Sequence, residues 1–346
     1  MRERSRLFPC LQLSRQQAGV VILVLCCVLL AAANLQAQTD PLPSWNDGPA
    51  KKAILAFVQA TTDPANPHYV PPEARIAAFD QDGTTWVEQP MYPQTLYCIE
   101  RLRELAKTKP ELQATEPFKT VLSGDPAALA KLNGKDYETI FAATFTGMTV
   151  EAFADTVKTW LATARDPHYK RPYTELVYQP MLEVMRYLRA NGYKTFFVTG
   201  GGQDFVRVFA EQVYGIPPEH VIATIYAKKF GYDQNGKPVV TMEPKLLLNA
   251  VHKGKPEGIS MMLGRRPYAA FGNSDGDKDM LEYTQAGDGL RLTMLVHHDD
   301  AAREYAYGPA SKVGTFSDAL LSEAHQKGWL IISMKNDWKR LFAWEK

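Results

Sequence analysis

Cysteine is scarce in this sequence, and three of its four cysteines lie within the first 37 residues. Without that stretch Cys98 stands alone, so no intramolecular disulfide can form and stability must come from a hydrophobic core. Clustered positive charge is also missing, because the 346 residues carry a formal net charge of only +1. The composition therefore argues against nucleic acid as an obligatory partner, since binding to phosphate backbones depends on clustered Lys and Arg.

Long apolar runs are rare as well, and the run at residues 18–33 has only 16 residues. A membrane-spanning helix needs about 20. Four arginines precede the run and small residues follow it up to Ala37, which is the layout of a secretory signal peptide. We therefore predict that residues 1–37 are a signal peptide and that the protein is exported, periplasmic or secreted, without stable membrane insertion after cleavage. An uncleaved membrane anchor is the alternative.

The remaining sequence has the composition of an ordinary globular protein, and its length suggests about two domains. Residues 88–178 show mainly helical spacing of apolar residues, whereas strands and helices alternate elsewhere. The strands predicted from short apolar runs are 75–79, 194–199, 268–271 and 290–296, with a hairpin of 221–230 and 238–242 around Asn235-Gly236. This alternation predicts an α/β, doubly wound, Rossmann-like fold with a parallel sheet.

Two aspartates directly follow the first predicted strand, in the sequence Asp80-Gln81-Asp82-Gly83-Thr84. In a doubly wound sheet the carboxyl ends of the strands face the ligand crevice, so we expect both carboxylates in the site. Asp80, held beside a cation, would stay ionised and act as a nucleophile, while Asp82 could carry the proton that a leaving alkoxide needs. A solvated turn rich in Asp and Gly is the structural alternative.

Thr199 and three glycines, residues 200–202, end a second predicted strand and precede a helix. A hydroxyl and backbone N–H groups at a helix start can bind phosphate, which makes Thr199 and Gly200 candidate ligands, although glycine-rich segments are also ordinary turn material. Lys255 begins another predicted helix and could offset the negative charge of a phosphate and a carboxylate. Lys245 and Lys253 are alternatives, and a surface position is the ordinary interpretation of such a lysine.

A segment rich in oxygen-bearing side chains, Gly-Asn-Ser-Asp-Gly-Asp at 272–277, follows the predicted strand at 268–271. Mg²⁺ prefers oxygen ligands and is commonly held by one or two carboxylates together with waters and a substrate phosphate. The spacing does not match a calcium-binding EF-hand loop, which ends in a glutamate at its twelfth position. We predict that this segment meets Asp80 in space and forms a magnesium site with it.

These four segments, in this order, resemble the motifs of the haloacid dehalogenase superfamily of aspartate-nucleophile hydrolases, in particular its phosphatase branch. The stretches 267–281, 303–305 and 329–338 resemble a bacterial exported subgroup. The resemblance implies a Mg²⁺-dependent phosphatase that hydrolyses phosphate monoesters of small molecules through an aspartyl-phosphate intermediate. The implied roles are nucleophile and metal ligand for Asp80, acid/base and metal ligand through its backbone carbonyl for Asp82, phosphate binding for Thr199, Gly200 and Lys255, and metal binding for Asn273 and Asp277.

The sequence departs from the family pattern at Asn273, which stands where most relatives have an aspartate that binds magnesium directly. An asparagine can bind a metal through its carbonyl oxygen but brings less charge. The choice of ligand among Asn273, Asp275 and Asp277 therefore stays open at this point.

An unusually long stretch separates the first two motifs, because Asp80 and Thr199 are 119 residues apart. A strand–helix–strand unit needs only about 30. The resemblance explains the excess as a helical cap at 89–178, inserted into a core formed by 38–88 and 179–346. Trp86, Glu88 and Tyr92 are candidates for the entrance of the site, although structural roles are favoured for all three.

Three other functions compete with the phosphatase. A phosphotransferase of the same superfamily would use the same residues, and a non-catalytic exported protein that binds a phosphorylated ligand is kept open by Asn273. A carbon–halogen hydrolase is disfavoured, because a halide leaving group needs no proton from Asp82. The sequence identifies neither the natural substrate nor the oligomeric state.

Overall fold

The core of the protein is a mostly parallel β-sheet, seen in a computed structural model that describes residues 40–129 and 131–345. The predicted signal peptide, residues 1–37, lies outside the described residues. Within them, seven strands pair in the order β4-β3-β2-β1-β5-β6-β7, and only the β3–β4 pair is antiparallel. The strands are β1 (Ile76–Phe79), β2 (Lys194–Gly202), β3 (Val221–Tyr232), β4 (Pro238–Leu248), β5 (Ala269–Gly272), β6 (Leu292–His297) and β7 (Leu330–Ser333).

Helices flank this sheet and fill the long connection between β1 and β2. The helices outside that connection are α1 (Pro49–Thr62), α8 (Gln203–Tyr214), α9 (Gly254–Leu263), α10 (Lys278–Gln285), α11 (Asp318–Lys327) and α12 (Met334–Asp337). Those between β1 and β2 are α2 (Pro93–Thr108), α3 (Phe118–Ser123), α4 (Pro126–Leu129), α5 (Gly134–Phe145), α6 (Val150–Thr163) and α7 (Gln179–Ala190). This architecture confirms the predicted doubly wound α/β fold.

The centre of the sheet is formed by the strands that the sequence marks most clearly. All four residues of β1 are buried, and β1 pairs in parallel with β2 on one side and with β5 on the other. The rings of Phe79 and Phe271 stack with their centroids 4.5 Å apart. A strand buried on both faces needs apolar side chains at every position, which explains the uninterrupted apolar sequence of β1.

The helices α2–α6 form an insertion between β1 and the later part of the sheet. Their apolar residues recur at spacings of three and four, as at Phe153, Val157, Trp160 and Leu161 of α6, and those four side chains are buried. The Thr149 hydroxyl accepts a hydrogen bond from the backbone of Ala152 and so caps the start of α6. The predicted helical character of residues 88–178 thus rests on the usual amphipathic pattern.

The insertion is attached to the β3–β4 hairpin by main-chain hydrogen bonds. The N–H of Gly147 donates to the carbonyl of Met242, and the N–H of Met242 donates to the carbonyl of Met148, both at 2.9 Å. Beside them, the rings of Phe145 and Tyr226 lie with centroids 4.8 Å apart. The loop between α5 and α6 is therefore held against the hairpin by both backbone and aromatic contacts.

The structure differs from the sequence-based expectations mainly at the sheet edges. The strand β7 was not predicted, and the hairpin strands run to Tyr232 and Leu248, beyond the predicted ends at 230 and 242. The outer part of the hairpin mixes polar and apolar residues, so the ends of β3 and β4 are weakly marked in the sequence. The strand β7 is a short and largely apolar run, which we did not assign from the sequence. None of the helices in the described part of the chain combines the length and apolar character needed to cross a bilayer.

Candidate active site

Three adjacent strands deliver the motif residues to one edge of the sheet. Asp80 follows β1, Thr199 lies near the end of β2 and Asn273 follows β5. The ends of β1 and β5 are joined directly, because the backbone N–H of Asp80 donates to the carbonyl of Phe271 at 2.9 Å. The parallel pairing of β2, β1 and β5 therefore places residues from distant parts of the chain around one crevice, as expected for this fold.

Lys255 contacts two buried carboxylates, those of Asp80 and Asp277. Its Nζ lies 2.7 Å from Oδ1 of Asp80 and 2.5 Å from Oδ1 of Asp277. The side chains of Lys255 and Asp277 are 3% and 0% exposed, so this is a buried ionic contact rather than a surface pair. The two alternative lysines, Lys245 and Lys253, are exposed.

The pKa values of both Lys255 and Asp80 are raised, but for different reasons. Burial would lower the pKa of Lys255, but the charges of Asp277 and Asp80 and the hydrogen bonds that they accept raise it above its ordinary value. Burial raises the pKa of Asp80 to about 7, and the charge of Asp277 adds to this effect while Lys255 opposes it. A buried carboxylate next to another carboxylate takes up a proton readily, so Asp80 needs a further positive charge to stay ionised near neutral pH.

Asp82 is oriented by an indole from its own loop. The Nε1 of Trp86 donates to Oδ1 of Asp82 at 2.7 Å. Burial raises the pKa of Asp82 to about 6, although the Trp86 hydrogen bond and the charge of Lys255 act in the opposite direction. A carboxyl group with this pKa exchanges protons near neutral pH, which suits an acid/base role.

The glycine-rich end of β2 is already engaged by protein groups. Thr199 is buried, and its hydroxyl accepts from the N–H of Gly201 at 3.2 Å. The side-chain oxygen of Gln94, in the first turn of α2, accepts from the N–H of Gly202 at 2.7 Å. The insertion thus contributes a polar side chain at the predicted phosphate-binding segment, a contact that no sequence pattern indicated.

The three candidate residues of the fourth motif have different surroundings. The Oδ2 of Asp277 accepts from the backbone N–H groups of Asn273 and Ser274 at 2.9 and 3.0 Å. Since its Oδ1 contacts Lys255, Asp277 has both oxygens engaged. Asp275 points to another place, where its Oδ1 accepts from the backbone and hydroxyl of Ser317.

Asn273 is fully buried and lies between Thr84 and Glu88. Its Oδ1 accepts from the Thr84 hydroxyl at 3.0 Å, and its Nδ2 donates to Oε1 of Glu88 at 2.7 Å. Glu88 is 2% exposed, and the Tyr307 hydroxyl donates to the same Oε1 at 2.5 Å. Glu88 therefore contacts the fourth motif directly. The sequence made Glu88 a candidate for the entrance, with a structural role favoured, and did not indicate this contact.

Burial also raises the pKa of Glu88 well above its ordinary value, and the charges of Asp82 and Asp80 act in the same direction. The hydrogen bonds from Tyr307 and Asn273 oppose this increase. The Coulomb effects of both aspartates mean that Glu88 belongs to the same electrostatic cluster, and carboxylates collected in this way favour binding of a cation.

A histidine contacts the backbone of the first motif. The Nε2 of His298 lies 2.7 Å from the carbonyl oxygen of Gly83, and its Nδ1 lies 3.2 Å from Oε2 of Glu304. Because a carbonyl oxygen can only accept, Nε2 carries the hydrogen in the first contact. The ring of Tyr307 stacks on His298 with centroids 4.4 Å apart, so this histidine also positions the hydroxyl that contacts Glu88.

We expect Gly83→Ala to destabilise the protein more than Gly236→Ala, although both glycines have left-handed backbones with φ of +70° and +77°. A Cβ at Gly83 would lie 2.1 Å from Nδ2 of Asn273 and 2.2 Å from Oε1 of Glu88, whereas Gly236 has open space. The shared backbone strain costs about 1–2 kcal/mol. Overpacking at Gly83 adds about 1–3 kcal/mol. Urea unfolding measures both losses, and equal losses would contradict the close contact.

The family of the protein follows from a sequence comparison that agrees with this geometry. The model of the haloacid dehalogenase-like hydrolases matches residues 77–282, which is more than half of the chain and includes all four motif segments. The protein therefore belongs to the haloacid dehalogenase-like hydrolase family. No curated protein matches the sequence.

Solved structures provide a second comparison. A protein of unknown function from Anaerococcus prevotii DSM 20548 has a TM-score of 0.52 and 15% identity, with 84% of this chain and 92% of that chain covered. A protein of unknown function from Bordetella pertussis Tohama I has a TM-score of 0.47 and 15% identity, covering 75% and 97%. A probable phosphoserine phosphatase from Vibrio cholerae has a TM-score of 0.36 and 14% identity, covering 65% and 58%. The first indicates a shared fold, and the other two are too distant to support an argument.

Proposed function

We propose that this hydrolase is a Mg²⁺-dependent phosphatase that acts on phosphate monoesters of small molecules with Asp80 as the nucleophile. The observation that carries the proposal is the buried contact of Lys255 with Asp80 and Asp277 at the carboxyl ends of the central strands. A carboxylate attacking a phosphate dianion must overcome repulsion between like charges. A fixed ammonium group beside the nucleophile reduces that repulsion in the approach to the transition state.

The proposed reaction has two steps. A carboxylate oxygen of Asp80 attacks phosphorus and forms an aspartyl phosphate, while Asp82 donates a proton to the leaving alkoxide. Asp82 then takes a proton from a water molecule, which attacks the aspartyl phosphate and releases inorganic phosphate with Asp80 regenerated. The hydrogen bond from Trp86 supports this role, because it orients the Asp82 carboxyl group without neutralising it.

Thr199, Gly200 and Lys255 are the proposed phosphate ligands. Thr199 is buried at the end of the strand next to Asp80, and Lys255 already contacts Asp80. A hydroxyl, a backbone N–H and an ammonium group together can match the three non-bridging oxygens of a phosphoryl group. In this arrangement Asp277 acts through Lys255, which it holds in place.

The residues present fit a divalent cation. Asp80, Asp82, Glu88 and Asp277 lie near one another, and Lys255 is the only Lys or Arg that forms an ion pair with any of them within residues 40–129 and 131–345. No three His, Cys, Asp or Glu side chains in these ranges are arranged to hold a metal by themselves. The Asp80 carboxylate, the Asp82 carbonyl and the Asn273 side chain would hold Mg²⁺, with water completing a set that this ion accepts. Bound Mg²⁺ would supply positive charge to the phosphate oxygens.

Two further parts of the proposal concern the insertion and the location. We assign residues 89–178 as a cap that contacts the substrate, supported by Gln94, which reaches the glycine-rich end of β2. Closure over the site would limit access of water during attack by Asp80. Export of the protein is proposed from the residue pattern of positions 1–37 alone.

A panel of small phosphate monoesters tests the proposed function. The purified protein should release inorganic phosphate in the presence of Mg²⁺. This release should stop when a chelator is added and should resume when Mg²⁺ is restored. Ligand binding in Mg²⁺ without turnover would instead indicate a phospho-ligand-binding protein. Transfer of the phosphoryl group to an added alcohol, in place of release, would identify a phosphotransferase.

A further inference from the structure

Glu88 is a buried acid that the proposed reaction does not use. It lies in the loop after β1 and is 2% exposed, yet no Lys or Arg forms an ion pair with it within the described residues. Removing a carboxylate from water without a compensating charge is costly. A buried acid in this position therefore needs either a bound proton or a cation that the protein itself does not provide.

The hydrogen bonds to Glu88 leave one of its oxygens available. Both described donors, Nδ2 of Asn273 and the hydroxyl of Tyr307, bind Oε1, and no described group donates to Oε2. Two donors on one oxygen fix the orientation of the carboxyl group. The second oxygen is thereby presented as an acceptor with a fixed direction.

Two glycines make room for this carboxylate. A Cβ on Gly83 would lie 2.2 Å from Oε1, and a Cβ on Gly314 would lie 1.7 Å from it. Both glycines have positive φ, +70° and +61°, so the backbone on either side of Glu88 has a conformation that other residues rarely adopt. The carboxylate therefore lies against the backbone of Gly83, which follows Asp82, the residue whose main-chain carbonyl is proposed to bind the metal.

We propose that Glu88 supplies the carboxylate that Asn273 does not bring to the metal site, and that Asn273, whose oxygen remains a proposed metal ligand, also positions Glu88 through its amide nitrogen. This inference rests on the proposed function only in assuming a Mg²⁺ site at Asp80. The amide nitrogen of Asn273 donates to Glu88, while its amide oxygen accepts from the Thr84 hydroxyl. The negative charge expected from the fourth motif is thus provided by a residue that follows the first motif, 185 positions away from Asn273.

Calorimetric titration of the substrate-free protein with Mg²⁺, and in parallel with Mn²⁺, tests this assignment. Glu88→Gln keeps the shape of the side chain and removes its charge, so affinity should fall by about 10- to 100-fold or more, a range that loss of even an outer partner of a metal ligand can reach. The double variant Glu88→Gln/Asn273→Asp moves the carboxylate to position 273 and should recover most of the affinity. Glu257→Gln, at an exposed position of α9, should bind like the unaltered protein.

The result that overturns the inference is unchanged metal affinity in Glu88→Gln, because Glu88 would then be a protonated structural group. If Glu88→Gln does not fold, Asn273→Asp gives a second test. It places a carboxylate 2.7 Å from Oε1 of Glu88 and should lower the melting temperature of the metal-free protein, with recovery in Mg²⁺. An equal melting temperature with and without Mg²⁺ would also contradict a metal site between positions 88 and 273.

The two proposals fail in different ways. Release of phosphate by the unaltered protein, together with equal Mg²⁺ affinity of the Glu88 variant, would remove Glu88 as a ligand and leave the phosphatase intact. Tight Mg²⁺ binding that depends on Glu88, without phosphate release from any ester, would support the ligand and contradict the phosphatase.

Discussion

Asp80→Asn is expected to lower phosphate release by at least about 10⁴-fold, the scale seen when a catalytic nucleophile is removed. The amide oxygen can still accept the hydrogen bond from Lys255, so the fold should be retained. The uncharged amide that replaces the carboxylate, however, cannot form the aspartyl phosphate. The turnover number under saturating ester and Mg²⁺ measures the effect.

The matched control for this substitution is Asp155→Asn, at an exposed position of α6 that pairs only with Lys158 in the described part of the chain. That variant should retain full turnover, because surface ion pairs contribute little to stability. Full turnover in Asp80→Asn would show that another group attacks phosphorus. A trapped phosphoprotein in the unaltered chain that is absent from the variant would identify the bond directly.

Lys255→Met is expected to cost about 3–5 kcal/mol of the free energy of unfolding in the presence of a chelator. It leaves Asp80 and Asp277 buried without the cation that both contact. Urea unfolding followed by circular dichroism measures the loss. Lys253→Met, two residues earlier and exposed, is the control and should change the stability by less than about 0.5 kcal/mol.

The stability loss caused by Lys255→Met should also depend on pH in a definite direction. The pKa of Asp80 is already raised to about 7 with Lys255 present, and loss of the lysine raises it further. An acid whose pKa is higher in the folded than in the unfolded state stabilises the fold at low pH, and this stability is lost as pH rises through the folded pKa. The defect of Lys255→Met should therefore be smaller at pH 5 than at pH 8, and a defect independent of pH would contradict the charge-based explanation.

The centre of the fold could be predicted because each local signal there agrees with the global structure. The buried strand before Asp80 and the strand before Asn273 are short, apolar and followed at once by polar residues, so strand, edge and site are marked together. The sequence also marked Lys255, but only the resemblance to the family distinguished it from Lys253. Burial between two carboxylates is a property of the folded chain that composition does not encode.

Glu88 illustrates what the sequence could not provide. It lies eight positions after Asp80, while its partners Asn273 and Tyr307 are 185 and 219 positions away. Local periodicity cannot relate residues at such separations. The one available signal was the neutral Asn273 itself, since a missing charge in a metal-binding motif raises the question of which other residue carries it. The contact of Gln94 with Gly202, over 108 positions, was hidden for the same reason.

The main-chain hydrogen bonds of Met242 with Gly147 and Met148 have a mechanical consequence. Free rotation of the insertion would have to break both bonds and separate Phe145 from Tyr226, so large excursions of the α5–α6 loop carry an energetic cost. Access to the crevice should then depend on small displacements near α2 rather than on rotation of the whole insertion. If the protein hydrolyses phosphate esters as proposed, we expect the shape of the side chains near α2, rather than movement of the whole insertion, to select the ester.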